Sequence, residues 1–199
     1  MGKRSDFVKI PKDKYNTIDK RAVDILLPFL LETDGDVLLS EGHSRFIHYA
    51  EPCCGDGDLI KDLDGRRDYP MCVSWWSDID APEYDDGMLR IGNTRIDALD
   101  LTLEHVGQCD VIITNPPWSR PILHKMIEHF ANLKPTWLLF DADWAHTKQS
   151  SELMKKYCTH IVSVGRLIWI PGTTMSGKDN CAWYRFDTNK TSETIFYGR

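Results

Sequence analysis

An α/β fold with a mainly parallel sheet and helices on both faces is what this chain predicts, on three observations. Short apolar runs alternate with amphipathic helical stretches along its length. The runs over 71–77 and 111–114 are near-continuous in apolar residues, as strands covered on both faces are. A polar residue follows each of four such runs, in chain order Glu51, Asp78, Asp97 and Asn115. In open α/β sheets, ligands bind at the carboxyl ends of the strands.

The elements follow in order. A first helix is expected over 22–31, with Thr17 or Asp19 as its N-cap. A strand over 46–50 meets a glycine turn at Gly55 and Gly57, and a helix starts over 59–63. The second strand covers 71–77, and a third is expected to end at Asp97, just before Ala98. A short helix covers 100–106, and the central strand is 111–114. Ser119 is expected to cap a helix through Phe130 with Ile122, Met126, Ile127 and Phe130 on one stripe. A strand over 136–140, a helix over 151–157 and a strand over 161–164 follow. Residues 167–170 and 182–186 read as a closing antiparallel pair around a polar loop, 171–180.

Composition bounds the function. At 199 residues and 42% apolar content, the chain is large enough for one folded domain over 1–199. No apolar run reaches the length of a membrane span, so a membrane partner is not expected. The N-terminus has no secretory apolar region, which points to the cytoplasm. None of the six cysteines forms a Cys-x-x-Cys pair, and the histidines lack ligand spacing with them. Reduced thiols and no metal site are therefore expected. Net charge is −6, yet basic residues crowd the first 21 positions, so 1–14 reads as a basic arm able to hold phosphates without sequence selectivity.

Two motifs carry chemistry. Asn115-Pro116-Pro117-Trp118 directly follows the central strand. Consecutive prolines end the strand and fix the backbone, and Asn115, preceding a proline, is held extended. The Asn115 amide oxygen, the Pro116 carbonyl and the Trp118 ring thus form a preorganised acceptor site suited to a planar amine. The second motif is Glu51-Pro52-Cys53-Cys54-Gly55-Asp56-Gly57, read as strand end, glycine turn and helix start. Gly55 and Gly57 allow close ligand approach or positive φ, and Glu51 can accept from an ammonium group. Asp78 follows Gly57 by about 20 residues, the spacing at which an acid binds ribose hydroxyls in Rossmann-like folds.

Taken together, EPCCGDGDL, SDID, DAL and TNPPW resemble the motif series of S-adenosylmethionine-dependent amino-group DNA methyltransferases of the adenine-N6 type. The segment from Tyr15 to Leu30 is similar to the cofactor-contacting stretch that precedes the glycine turn in one arrangement of that family, though it lacks the proline that often follows the threonine there. Residues 179–186 resemble a terminal strand of small phage-type members. The resemblance covers about residues 15–187. It implies a Rossmann-like class I methyltransferase fold, a seven-stranded sheet with one antiparallel closing strand, and S-adenosylmethionine as cofactor. It also implies cofactor contacts at Tyr15, Thr17, Glu51, Pro52, Cys53, Gly55, Gly57, Asp78, Ile79, Asp97, Ala98 and Asn115. Asn115, Pro116, Pro117 and Trp118 would be catalytic, on adenine in DNA, in a bacterial host and encoded there or by a phage.

After the catalytic motif only about 80 residues remain, and the sheet needs most of them. A separate target-recognition domain is therefore not expected. Either sequence context is short, or loops, a second copy or a partner subunit supply it. The same motifs leave other acceptors open: cytosine-N4, adenine in RNA, or a protein glutamine. A non-catalytic cofactor-binding subunit is the remaining alternative.

Overall fold

The computed structural model describes residues 15–33, 46–80 and 95–199, and the basic arm over 1–14 lies outside them. Its strands are β1 (Ile47–Glu51), β2 (Met71–Trp76), β3 (Val111–Thr114), β4 (Thr136–Asp141), β5 (Cys158–Gly165), β6 (Cys181–Phe186) and β7 (Ile195–Tyr197). Its helices are α1 (Arg21–Thr33), α2 (Asp58–Asp64), α3 (Leu103–Val106), α4 (Arg120–Leu133) and α5 (Ser151–Tyr157). One sheet of seven strands runs β2-β1-β3-β4-β6-β5-β7, with β6 antiparallel to both neighbours and the other pairings parallel. This is the expected fold class.

Strand periodicity divides the interior into two cores. On one face Val111, Ile113, Trp137, Leu139, Cys181 and Trp183 pack under α1 and α2. On the other, Ile112, Leu138, Phe140, Ala182, Tyr184 and Phe186 pack under α4 and α5. Alternate residues of β3, β4 and β6 thus serve opposite faces, as a period of two requires. The four residues of β3 are all buried, in keeping with a central parallel strand.

Several expectations needed revision. The buried stripe of α4 is Leu123, Met126, Ile127, Phe130 and Ala131, and Ile122 is exposed. Ser119 stands at the N-cap but caps with its backbone carbonyl, which accepts from Ile122 and Leu123, while Pro121 sits in the first turn. Asp97 does not end a strand: its side chain accepts from Leu99 N–H at 2.9 Å and caps a 3-10 turn, Ala98–Asp100. The stretch 100–106 is no single helix, because Thr102 interrupts it as the N-cap of α3 in a capping box with His105. Residues 167–170 are not a strand; β5 is longer than expected and is itself the partner of β6. Gly165, at φ 86°, turns the chain out of the sheet before Leu167. The short edge strand β7 was not anticipated. No helix among the described residues is long and apolar enough to cross a membrane.

α1 is tied to the sheet by more than apolar contact. The Trp183 indole, fully buried, donates to the Ala22 carbonyl at 2.8 Å. Pro28, which cannot donate to the carbonyl four residues back, lies on the exposed side of the helix. Replacing Trp183 with alanine should cost about 3–5 kcal/mol in urea unfolding. Trp183→Phe should cost less, since most ring volume remains and the one donor is lost. A Trp183→Ala midpoint equal to that of the wild type would refute this account of how α1 is held.

Candidate active site

Strand order places the site. The chain leaves β1 toward β2 on one side, then crosses back to β3 on the other. The carboxyl ends of β1 and β3 therefore flank a topological switch point, where a crevice opens. Glu51 ends β1 and Asn115 follows β3, and both line one cleft with Tyr15, Asn16, Thr17, Cys53, Cys54 and Leu59. Of the expected cofactor contacts, Tyr15, Thr17, Glu51, Cys53 and Asn115 are brought together there. Pro52, Gly55, Gly57, Asp78, Ile79, Asp97 and Ala98 do not line it, and Ile79 is exposed. Asn16, Cys54 and Leu59 were not singled out from the sequence.

The glycine turn is built for close approach. Gly55 and Gly57 sit at φ 49° and 73°, where side chains are strained. A Cβ on Gly55 would also lie 2.5 Å from Asn16 Oδ1. Asp78 serves as a tie beneath the turn: Oδ2 accepts from Gly55 N–H at 2.9 Å, and Oδ1 from Asp80 N–H at 2.8 Å. The first and second strand ends are further knit by Ser77 N–H to the Glu51 carbonyl and Cys54 N–H to the Ser77 carbonyl, both 3.0 Å.

Glu51 is only 2% exposed, and its Oε2 has no hydrogen-bond partner among the described residues. Burial first, then the negative charges of Asp78, Asp58 and Asp64, push its carboxyl well above the usual 4.5. Thr17 Oγ1, in the same cleft, is buried without a partner among the described residues. Buried polar atoms left unpaired cost free energy, and these two belong to residues lining one cleft. Burial also pushes the Cys54 thiol up to about 12 and raises that of Cys53, so neither is an activated nucleophile.

Asn115 is held from both ends of its amide. Nδ2 donates to the Tyr15 carbonyl at 2.9 Å, and Oδ1 accepts from the Trp118 indole N–H at 3.1 Å. A carbonyl can only accept and an indole N–H can only donate, so the two contacts together fix which way the amide faces. Oδ1 keeps one acceptor direction free of the indole. The Trp118 ring is expected as part of the acceptor site, and its N–H gives it a second role, orienting Asn115. The sequence reading missed Trp169, whose ring meets Trp118 edge-on at 5.7 Å and lies 6.4 Å from the Tyr15 ring. Three aromatic rings thus gather beside Asn115.

No protein-family model matches the chain, and no curated protein matches its sequence. Solved structures resemble it in fold. A Listeria monocytogenes protein described as a class I S-adenosylmethionine-dependent methyltransferase aligns with a TM-score of 0.60 at 12% identity, over 97% of this chain and 68% of that one. The methyltransferase subunit of a type I restriction-modification system from Streptococcus thermophilus gives 0.63 at 9% identity, over 95% of this chain and 48% of that one. The M protein of type I restriction enzyme EcoKI gives 0.51 at 11% identity, over 92% and 48% respectively. The fold is therefore that of class I S-adenosylmethionine-dependent methyltransferases, and the chain spans about half the length of the two restriction-modification proteins.

The state of Glu51 has a measurable consequence. A carboxyl with a raised folded pKa binds more protons folded than unfolded. Its cost is absent below the ordinary value of 4.5 and grows as pH rises from there toward the folded value. Glu51→Gln stays neutral and escapes that cost. Without ligand, the variant should gain stability relative to the wild type as pH rises from about 4 to 8. Parallel stability curves from urea titrations across that range would contradict a buried, raised Glu51.

Proposed function

We propose that this chain is an S-adenosylmethionine-dependent methyltransferase acting on the exocyclic amine of adenine in DNA. One observation carries the proposal: Asn115-Pro116-Pro117-Trp118 stands at the switch point, with its amide oriented, beside a glycine turn and a cleft holding unpaired polar atoms. The residues fit the cofactor. Glu51 and Thr17 offer a carboxylate and a hydroxyl to its amino-acid end, and Gly55 leaves room that a side chain would fill. Asp78, with lone pairs beyond the two already used, faces the ribose in this reading, and Ile79 the adenine ring. When bound, the cofactor supplies a methyl group on a sulfonium, so the transfer needs no metal.

The chain's own residues supply positioning and electrostatics. The amine of adenine is a poor nucleophile because its lone pair is delocalised into the ring. Asn115 Oδ1, through its remaining lone pair, and the Pro116 carbonyl accept the two amine protons and favour a pyramidal nitrogen. Such a preorganised contact is worth on the order of 3 kcal/mol in the transition state. Trp118 and Trp169 supply aromatic faces for the base, which must first leave the duplex at a cost of a few kcal/mol. Asn115 and the Pro116 carbonyl would hold that nitrogen toward the cofactor's methyl group; the carbon–sulfur bond would break as the carbon–nitrogen bond forms, leaving a neutral thioether, and the proton shed by nitrogen would pass to water.

The two restriction-modification proteins among the structural neighbours support a DNA acceptor. In this reading residues 1–199 form a single catalytic domain, the basic arm over 1–14 contacts phosphates, and a second copy or partner subunit extends recognition. The protein then works in the cytoplasm of a bacterial cell, phage-encoded or native. The acidic net charge of −6 favours one rival, a protein glutamine acceptor, whose side-chain amide is also a planar amine.

Purified protein with labelled S-adenosylmethionine and a panel of DNA, RNA and protein acceptors tests the reading. Label should enter DNA adenine; label only in RNA, cytosine or protein would move the function to that acceptor. Asn115→Ala should lose at least about a hundredfold in methyl transfer, with cofactor affinity within a few fold by calorimetry. Full activity in that variant would defeat the mechanism.

Acting without that second copy or partner, residues 1–199 should read only a short sequence context, because phosphate contacts position a protein while base contacts specify sequence. Single-molecule sequencing of DNA from expressing cells reads this out directly. A methylated palindrome of about four or more fixed bases would contradict it.

A further inference from the structure

We infer that Asp19 and Arg21 are positioning residues, which clasp the Trp169-bearing segment to the cofactor segment and so hold the acceptor wall in register with Asn115. The inference rests on the methyltransferase reading above. Its basis is a contact between parts of the chain far apart in sequence. The Asp19 carboxylate, only 8% exposed, accepts from Ile168 N–H through Oδ2 at 2.9 Å. The same carboxylate takes the Arg21 guanidinium in a forked contact, Nε to Oδ1 at 2.9 Å and Nη2 to Oδ2. Arg21 Nη2 also donates to the Arg166 carbonyl at 3.1 Å. Burial would raise the Asp19 carboxyl, but the Arg21 guanidinium and the Ile168 and Arg21 N–H groups outweigh it and hold it below its ordinary value. The clasp is therefore charged across the working pH range.

These contacts close a ring around the acceptor site. Asn115 bonds to the Tyr15 carbonyl, and the chain runs from Tyr15 through Asn16 and Thr17, both in the cleft, to Asp19. Asp19 and Arg21 hold residues 166 and 168, and the next residue, Trp169, packs on Trp118, which bonds back to Asn115. The Trp169 indole also packs against Gly177, where a Cβ would lie 2.9 Å from Cδ1 and Nε1 of the ring. Gly177 N–H in turn donates to the Leu167 carbonyl at 2.7 Å. A pure stability role would need only that α1 be anchored, and Trp183 already does that. The clasp instead grips the backbone on either side of Leu167, immediately before Trp169. A ligand that orders residues 15–17 therefore also orders the aromatic wall, so cofactor occupancy should tighten acceptor binding.

The test separates the two half-reactions. Steady-state methyl transfer and calorimetry with S-adenosylhomocysteine are measured for wild type, Asp19→Asn, Asp19→Ala and Arg21→Lys. Asp19→Ala should raise the acceptor KM about tenfold or more, with cofactor affinity within about threefold. Asp19→Asn, which keeps one acceptor oxygen for Ile168 N–H, should fall between. Arg21→Lys keeps the charge but loses the fork and should also raise KM. A wild-type KM in Asp19→Ala, or equal losses in cofactor affinity and KM, overturns the inference. Hydrogen exchange on the wild type covers the case in which a variant fails to fold. S-adenosylhomocysteine should slow the amides of residues 166–170 along with those of 15–21, and unchanged exchange at 166–170 overturns the clasp. If the wild type binds no cofactor or methylates no acceptor, both readings fall, and that result appears before any variant is compared.

Discussion

Two parallel strands whose connections leave in opposite directions cannot close the gap between their carboxyl ends. That constraint governs the rest of this molecule. β1 and β3 are neighbours, yet the chain reaches β2 before it returns to β3. The crevice between them receives Glu51 from one strand and Asn115 from the other. The proline pair gives Asn115 a fixed exit from β3, and the left-handed glycines give β1 an exit with no side chain in the way. The floor of the crevice is then a matter of which residue ends each strand, and the sequence chose an acid and an amide.

That choice runs against stability. Glu51 is buried beside three other acids and has an unpaired oxygen, while Thr17 keeps an unpaired hydroxyl nearby. The two cores supply the compensation: each face of the sheet buries a full set of branched and aromatic side chains under its own helices. A cationic ligand end would pair with the Glu51 carboxylate, so the cost of burying it is concentrated where a ligand offsets it.

The sequence revealed most where burial imposed a simple pattern. β3 is bounded on one side by polar residues and on the other by prolines, and its limits were legible to the residue. β4 and α5 were equally plain, because apolar runs and amphipathic spacing suffice for them. In α4 the adjacent Ile122 and Leu123 compete for one buried position, and only packing against the sheet decides for Leu123. An acid that ends a strand and one that caps a 3-10 turn look alike in sequence, so Asp97 misled. Residues 167–170 have the composition of a strand, but their hydrogen bonds go to Asp19 and Gly177, which no local signal announces. Asn16 carries no periodicity at all, and its place becomes visible only once Gly55 lies against it.

The reversed direction of β6 has a consequence of its own. Because β6 runs against β4 and β5, it begins beside Asp141 and Gly165, on the rim where both neighbours end. The connection over 166–180 must therefore arch over that rim, at the same end of the sheet as the crevice. Its two stems are fixed by a six-residue ladder, while its crown contributes nothing to either core beyond Leu167 and a partly buried Trp169. Composition over 171–176, ahead of Gly177 and its contacts with Trp169 and Leu167, is thus free to drift without disturbing the scaffold. For a protein engineer this is the natural place to build a library: randomise the crown, leave the stems, and select for altered substrate preference on an unchanged chassis.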